Sequence, residues 1–158
     1  MSELTEAPGM ITERINPATR ALPAVEVKPV ADAVTRSAFA HITSISFDVP
    51  WSVCREVYGA ERAWNGSFRG FVGYASGVAV STTAVVITKD LVGIYSVGTL
   101  PGQRRRGYAE SLMRQVLQKI RNETGIERTG LQSTRSGHHL YSQMGFRVAT
   151  NYTVYITD

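Results

Sequence analysis

An arginine-rich turn ahead of a long amphipathic helix is the part of this sequence best suited to chemistry. Residues 97–109 run from an apolar strand through Pro101 and Gly102 into three arginines, then Gly107 and the start of a helix. The backbone N–H groups in the first turn of a helix have no partner within that helix, and the helix dipole is positive there. Glycine also lets a ligand approach the backbone closely. The stretch therefore predicts a binding site for an anion.

Two common phosphate-binding loops do not fit this stretch. Gly102 and Gly107 have the glycine spacing of the Walker A loop, but Tyr108 and Ala109 stand where that loop needs a lysine and a hydroxyl residue. The glycine fingerprint of dinucleotide-binding folds is absent. A solvated basic loop is the plainer alternative. Three cations at the positive end of a helix oppose its dipole, however, and this favours an anionic partner.

The helix after the turn needs a core to pack against. Its apolar residues recur at helical spacing and form one stripe: Ala109, Leu112, Met113, Val116, Leu117 and Ile120. Glu110 and Arg114 belong to the opposite, polar face. The pattern predicts a helix over residues 106–123 that ends at Gly125, a residue type that favours the left-handed end of helices.

Short strands and helices occupy the remainder of the chain. Helical periods predict helices over residues 32–47, 51–58 and 136–144, the second ending at Gly59. Strands are predicted over residues 24–30, 68–75, 78–88, 91–99, 129–133, 147–150 and 152–156. Ser76-Gly77 suits a two-residue hairpin turn, and Gly93 and Gly98 indicate a bulge or a close backbone approach in the strand before the arginines. The strand over residues 129–133 follows a strand–helix connection, which predicts parallel pairing with that strand.

The chain length of 158 residues fits one domain, which we place over residues 24–158. Residues 1–23 contain three prolines and predict an N-terminal arm or tail, with a short strand over residues 10–15. The net charge of +4 favours an anionic ligand but is too small to imply nucleic acid. A single cysteine, Cys54, suits a reducing compartment, and the sequence shows neither a signal peptide nor a membrane span. We therefore expect a cytoplasmic protein with no membrane or nucleic-acid partner.

Two motifs together carry a resemblance to a known family. Arg104-x-x-Gly107-x-Ala109, after a strand, resembles the pyrophosphate loop of the GNAT superfamily, the acyl-CoA-dependent N-acetyltransferases. Leu140-Tyr141 followed by Gly145-Phe146 is similar to the LY-x-x-x-GF segment of that superfamily. The resemblance covers residues 24–158. It implies an α/β fold with a mixed, mostly antiparallel central sheet, one parallel splayed strand pair, and flanking helices.

The resemblance also implies roles for individual residues, with acetyl-CoA as co-substrate. Backbone groups of Val97 and Thr99 would bind pantetheine, and the N–H near Val97 would stabilise the developing oxyanion. Tyr141 would donate a hydrogen bond to the departing sulfur. The pyrophosphate would lie against the loop residues Arg104, Arg105, Arg106, Gly107, Tyr108 and Ala109.

The general base and the acceptor stay open at this point. The strand over residues 91–99 contains no carboxylate. A water held by Tyr95 or Ser96 is one alternative, and a carboxylate from Asp48, Glu56 or Glu61 is another. The resemblance implies acceptor contacts from the first two helices and the late strands, where four aromatic residues equally suit a core: Phe47, Trp51, Trp64 and Tyr152.

Three functions compete on the sequence. The first is an N-acetyltransferase that moves an acetyl group from acetyl-CoA to a primary amine by direct attack. The second is a non-catalytic acyl-CoA-binding regulatory module, and the third is a phosphate-binding nucleic-acid module. Vicinal His138 and His139 lack the partners of a metal site, so no metal is expected and they are interpreted as surface or acceptor-site residues. A homodimer is compatible with the resemblance.

Overall fold

A seven-stranded sheet is the centre of the computed structural model, which describes residues 2–64 and 66–156 and the side chains of residues 5–64 and 66–155. The strands are β1 (Ser2–Thr12), β2 (Glu26–Pro29), β3 (Phe68–Ala75), β4 (Val78–Ile87), β5 (Val92–Thr99), β6 (Thr129–Gln132) and β7 (Arg147–Ile156). The helices are α1 (Ala33–Phe47), α2 (Trp51–Gly59), α3 (Tyr108–Thr124) and α4 (His138–Gln143), with 3-10 turns at Glu61–Trp64 and Pro101–Gln103.

The strand order is β2-β3-β4-β5-β6-β1-β7. The β5–β6 pair is parallel and the other five pairs are antiparallel. One hydrophobic cluster joins the sheet to α3 and Tyr141, and a second joins α1 to the other side of β3 and β4. The predicted fold class, a mostly antiparallel sheet with one parallel pair and flanking helices, is confirmed.

The long helix behaves as its pattern predicts. Leu112, Met113, Val116 and Ile120 have no exposed surface and Leu117 is 8% exposed, so the apolar stripe lies in the core except for the half-buried Ala109 at its N-terminal end. Gly125 caps the C-terminus in the left-handed conformation, with φ of 76°, and its N–H donates to the carbonyl of Arg121. The Ser76-Gly77 turn also has two positive φ angles, as its hairpin geometry requires.

The first helix begins with a reciprocal cap. The Asp32 carboxylate accepts from the backbone N–H of Thr35 at 2.8 Å, and the Thr35 hydroxyl accepts from the N–H of Asp32 at 3.1 Å. These contacts satisfy N–H groups that the helix itself leaves unpaired, and they hold the pKa of Asp32 below its usual value.

Loss of this cap should have a measurable cost. Asp32→Ala should lower the melting temperature by about 2–4 °C, as expected for the loss of a helix N-cap in a chain of this size. Asp32→Asn is the matched control, since asparagine caps about as well as aspartate and should melt close to the wild type. Equal melting temperatures for the alanine variant and the wild type would contradict the role of the cap.

The N-terminal segment differs from the predicted arm. Residues 2–12 form β1, which lies inside the sheet between β6 and β7, whereas the sequence indicated only a short strand over residues 10–15. Residues 13–25, which we call the strap, then connect β1 to β2. The strap contacts α3: the Ser111 hydroxyl donates to the carbonyl of Pro23 at 2.9 Å, and the Gln115 amide donates to that of Val25 at 3.1 Å.

Smaller differences concern strand and helix ends. The two predicted final strands form the single strand β7, which pairs with β1 through two register shifts. Gly59 is the last residue of α2, as predicted, but the cap residue Ala60 is extended, so this helix does not end in the left-handed conformation that a glycine favours. Asp48 takes such a conformation instead, at the end of α1 with φ of 52°. Across the described residues, no helix combines the length and apolar character needed to cross a membrane.

Candidate functional site

The parallel strands β5 and β6 separate partway along their length. Their pairing runs from Val92 opposite Thr129 to Ile94 opposite Leu131, while β5 continues to Thr99. Beyond that point β6 stays paired with β1 and not with β5: Gln132 lies opposite Gly9, and the N–H of Ser133 donates to the carbonyl of Pro8 at 2.8 Å. The second half of β5 therefore borders a gap in the sheet, as expected for the parallel, splayed strand pair that the resemblance implied.

A bulge in β5 lies next to this gap. Thr82 of β4 lies opposite Gly98 of β5, and Ala84 lies opposite Tyr95. Two steps along β4 therefore match three along β5, so β5 carries one extra residue. Ser96 has a positive φ of 51°, and its carbonyl accepts from the Thr82 hydroxyl at 2.9 Å. The bulge predicted from the glycines is present, and it re-aims the backbone where the strands part.

The predicted pantetheine-binding residues border the gap. Val97 and Thr99 follow Ile94, the last β5 residue that pairs with β6. Val97 packs at the margin of the hydrophobic cluster that contains Tyr141. Leu100 donates its N–H to the carbonyl of Val80 at 3.1 Å, so the alternation of antiparallel pairing points the backbone N–H and C=O of Thr99 away from β4, while the Thr99 hydroxyl lies 3.2 Å from Ser81 Oγ on that strand. The Thr99 carbonyl accepts from Arg104 Nε at 3.0 Å, which fixes the start of the arginine turn against the end of the strand.

The arginine turn presents a row of free backbone N–H groups. Arg105 and Gly107 both have left-handed backbones, with φ of 61° and 87°, and the first helical hydrogen bond of α3 runs from Ser111 to Gly107. Within the described chain, no backbone or side-chain acceptor takes the N–H groups of residues 105–110. Successive N–H groups around left-handed residues at a helix start form an anion-binding concavity.

The side chains of the turn are open to solvent. Arg104, Arg105 and Arg106 are exposed, and Gly107, Tyr108 and Ala109 are half-buried. The structure thus brings all six predicted loop residues together at the N-terminus of α3. A Cβ on Gly107 would lie 3.1 Å from Pro23 and 3.5 Å from Arg20, both on the strap. The glycine is therefore required by its left-handed backbone and by the strap, in addition to any ligand.

Tyr141 lies in α4 and is 7% exposed. Its ring packs edge-on against Phe146 at 6.0 Å and belongs to the same hydrophobic cluster as Ile94 and Leu131, the last paired residues before the gap. Gly137 makes room for the ring, since a Cβ there would stand 2.7 Å from Tyr141 Cε2. Burial raises the pKa of Tyr141 to about 12, so the phenol stays protonated across the physiological range.

The aromatic residues considered for the acceptor separate into two groups. Trp64 is a core residue: its ring packs on Phe39 at 4.9 Å, and its indole N–H donates to the carbonyl of Tyr58 at 2.8 Å. Phe47, Trp51 and Tyr152 are 40–46% exposed and stay candidates.

Among the proposed bases, the chain places Asp48 close to the end of β5. It follows Ser46 by two residues, and the Ser46 hydroxyl donates to the carbonyl of Thr99 at 3.4 Å. The remaining titratable candidates are less suited to the gap: Cys54 is buried and its pKa is raised by that burial, while His139 is exposed. No three His, Cys, Asp or Glu side chains among the described residues lie close enough together to hold a metal ion.

The sequence did not reveal what covers the polar face of α3. Glu110 is only 6% exposed, although its helical position predicted solvent contact. Its carboxylate pairs with Arg114 at 2.9 Å and with Arg20, from the strap, at 3.5 Å. A carboxylate in the first helical turn with an arginine four residues later was the available signal, but that pair is equally typical of an exposed helix face.

Comparison with known proteins agrees with this geometry. Residues 36–146 match the family model described as the acetyltransferase (GNAT) family. This range includes the gap, the arginine turn and Tyr141, and it makes up more than half of the chain. No curated protein sequence matches the chain significantly.

Solved structures share the fold at low sequence identity. A GCN5-related N-acetyltransferase from Kribbella flavida is 18% identical with a TM-score of 0.71, over 96% of this chain and 58% of that one. An aminoglycoside acetyltransferase from an uncultured soil metagenomic sample is 15% identical with a TM-score of 0.65, over 85% and 99%. The ribosomal-protein-S18-alanine N-acetyltransferase from Escherichia coli is 15% identical with a TM-score of 0.65, over 80% of each chain. The chain thus spans less than two thirds of the Kribbella flavida protein.

Proposed function

Since this chain belongs to the GNAT acetyltransferase family, whose members use acyl-CoA for acyl transfer, we propose that it is an acetyl-CoA-dependent N-acetyltransferase acting on a primary amine. The amine nitrogen would attack the thioester carbon directly, and the carbon–sulfur bond would break to give the amide and the CoA thiol. The observation that supports this proposal is the β5–β6 gap: the free half of β5 leads into the N–H array of residues 105–110, and the buried Tyr141 packs in the cluster that contains Ile94 and Leu131, where the two strands part.

The chain supplies three kinds of contact for this reaction. The N–H groups of Arg106, Gly107, Tyr108 and Ala109 would hold the pyrophosphate, with the side chains of Arg104 and Arg105 adding charge. The backbone of Val97 and Thr99 would bind pantetheine along the free edge of β5, and an N–H near Val97 would stabilise the oxyanion.

Tyr141 would act on the sulfur as a hydrogen-bond donor. With a pKa of about 12 against about 8.5 for a thiol, full proton transfer is uphill by about 5 kcal/mol. Donation without transfer has no such cost and becomes stronger as negative charge builds on the sulfur. Burial of the ring therefore favours stabilisation of the leaving thiolate over acid catalysis by Tyr141.

The amine must lose a proton, and two routes stay open. One is a water held near Tyr95 or Ser96 on the free half of β5, and the other is a carboxylate from Asp48, Glu56 or Glu61. The exposed aromatic residues Phe47, Trp51 and Tyr152 would contact the acceptor. The buried free thiol of Cys54 supports a cytoplasmic setting, because it would persist in a reducing compartment.

An amine panel tests the proposal. The purified protein would be given acetyl-CoA together with polyamines, aminoglycosides or peptides with a free α-amine, and the last two classes follow the names of structural neighbours. We expect at least one class to release free CoA thiol faster than the amine-free control, with the acetylated amine seen by mass spectrometry. Tight acetyl-CoA binding without turnover on any class would favour the regulatory module, for which the absence of a carboxylate on β5 is the supporting observation.

A further inference from the structure

The strap brings a cation from outside the matched family region to the anion-binding turn. Arg20 precedes residue 36, where the family match begins, yet its guanidinium lies beside the N-terminus of α3. Arg20 Nη2 stands 3.5 Å from the position that a Cβ on Gly107 would occupy. Gly107 is the residue from which α3 starts and lies in the middle of the free N–H array.

Arg20 is held loosely at this position and keeps donors to spare. Its contact with the Glu110 carboxylate is long, at 3.5 Å, and its side chain is 55% exposed. Glu110 already has a closer partner in Arg114, at 2.9 Å. A guanidinium carries five N–H donors in a planar fork, so one long contact leaves most of them available to a ligand.

Arg20 also adds to the positive charge at the start of α3. Glu110 places a buried carboxylate in the first turn of the helix, next to the predicted pyrophosphate position. Arg114 neutralises this carboxylate, so Arg20 adds its charge to those of the three turn arginines. The backbone of the strap is fixed on both sides of this region, since Pro23 accepts from Ser111, and Asn16 donates its N–H to Met144 at 2.8 Å.

We propose that Arg20 is a binding residue for the pyrophosphate of the co-substrate, supplied by the strap to the loop of residues 104–109. This inference rests on the proposed function, because it assigns a further residue to the same site. It also gives the strap a role beyond connecting β1 to β2: part of the affinity for the nucleotide end of acetyl-CoA would come from a segment that the family motif does not contain.

Calorimetry with CoA on the full chain tests the assignment. Arg20→Gln should weaken CoA binding about tenfold, near the lower end of the effect of one charge-assisted hydrogen bond because the side chain is half exposed. Arg14→Gln is the matched control: Arg14 is also a strap arginine, 65% exposed, and it pairs with Glu127 at 3.7 Å instead of with Glu110. Its affinity should equal that of the wild type.

Two further measurements test which phosphate Arg20 contacts and whether the weaker binding comes from the lost charge or from a change in the fold. The same loss with 3′-dephospho-CoA supports contact with the pyrophosphate, whereas a loss seen only with CoA would overturn it in favour of the 3′-phosphate. The gap between wild type and Arg20→Gln should shrink between about 0.05 M and about 0.5 M salt, since exposed charges are screened. A salt-independent gap would indicate a structural defect and overturn the proposal.

The outcomes also distinguish failure of this inference from failure of the proposed function on which it rests. If the wild type and Arg14→Gln bind CoA and Arg20→Gln binds within about twofold of them, the inference is wrong and the proposed function stands. If none of the three proteins binds CoA, the proposed function itself fails.

Discussion

Tyr141→Phe is expected to lower kcat by about 10- to 1,000-fold while acetyl-CoA affinity stays within about threefold. The substitution removes one hydroxyl and almost no volume, so the edge-on contact with Phe146 and the packing on the hydrophobic cluster should persist. The lost hydrogen bond matters when sulfur carries charge, which occurs in the transition state and not in the bound thioester. The effect should therefore appear in kcat, measured with the best amine of the panel.

Tyr155→Phe is the control for removal of a tyrosine hydroxyl, because Tyr155 is 56% exposed on β7. It should leave kcat unchanged. For Tyr141→Phe the melting temperature should stay level or rise slightly, since burying a hydroxyl is costlier than burying a ring edge. A purely structural tyrosine would give the reverse pattern, with a lower melting temperature and normal turnover in the folded protein, and that result would remove Tyr141 from the mechanism.

Gly107→Val should weaken CoA binding by at least about 30-fold, the loss expected when two or more backbone hydrogen bonds to a charged group are misaligned. Valine is strongly disfavoured at a φ of 87°, and its Cβ would press on Pro23 at 3.1 Å. The turn would have to change conformation, and the N–H groups of residues 105–110 would no longer converge. Calorimetry with CoA measures the effect directly.

Gly125→Val separates the loss of binding from backbone strain. Gly125 caps the other end of the same helix with φ of 76°, and a Cβ there meets no atom within 4 Å. Both variants should lose stability of similar size, about 1–2 kcal/mol from the left-handed backbone. Only Gly107→Val should lose CoA affinity, and equal affinity in the two folded variants would refute the pyrophosphate assignment.

Local patterns were sufficient for most of the framework of the site. The α3 stripe, the hairpin at Ser76-Gly77 and the capping glycine Gly125 depend on neighbours within a few residues, so the sequence predicted them closely. Parallel pairing of β5 and β6 followed from the intervening helix and from the handedness of such connections. The arginine turn was predicted for the same reason, since a strand end, glycine and helix start are adjacent in the chain.

Contacts between distant parts of the chain could not be predicted in the same way. β1 pairs with β6 and β7, which follow it by more than a hundred residues. Residues 1–23, which include β1, contain three prolines and give little local strand signal. Without that strand the strap has no path across α3, so Glu110 and Arg114 were assigned to an exposed face. The burial of Tyr141 depends on the whole cluster around it, and its raised pKa has no counterpart in the local sequence.

The position of β1 also bears on how the protein is made. Ser2 lies opposite Ile156 and Thr12 lies opposite Thr129, so β1 is synthesised long before the two strands with which it pairs. Closing so long a loop costs entropy before any contact is gained, and pairings of this kind fold slowly. β6, which forms one wall of the gap, has β5 on one side and β1 on the other. The site is therefore expected to mature late in folding, after synthesis has reached β7.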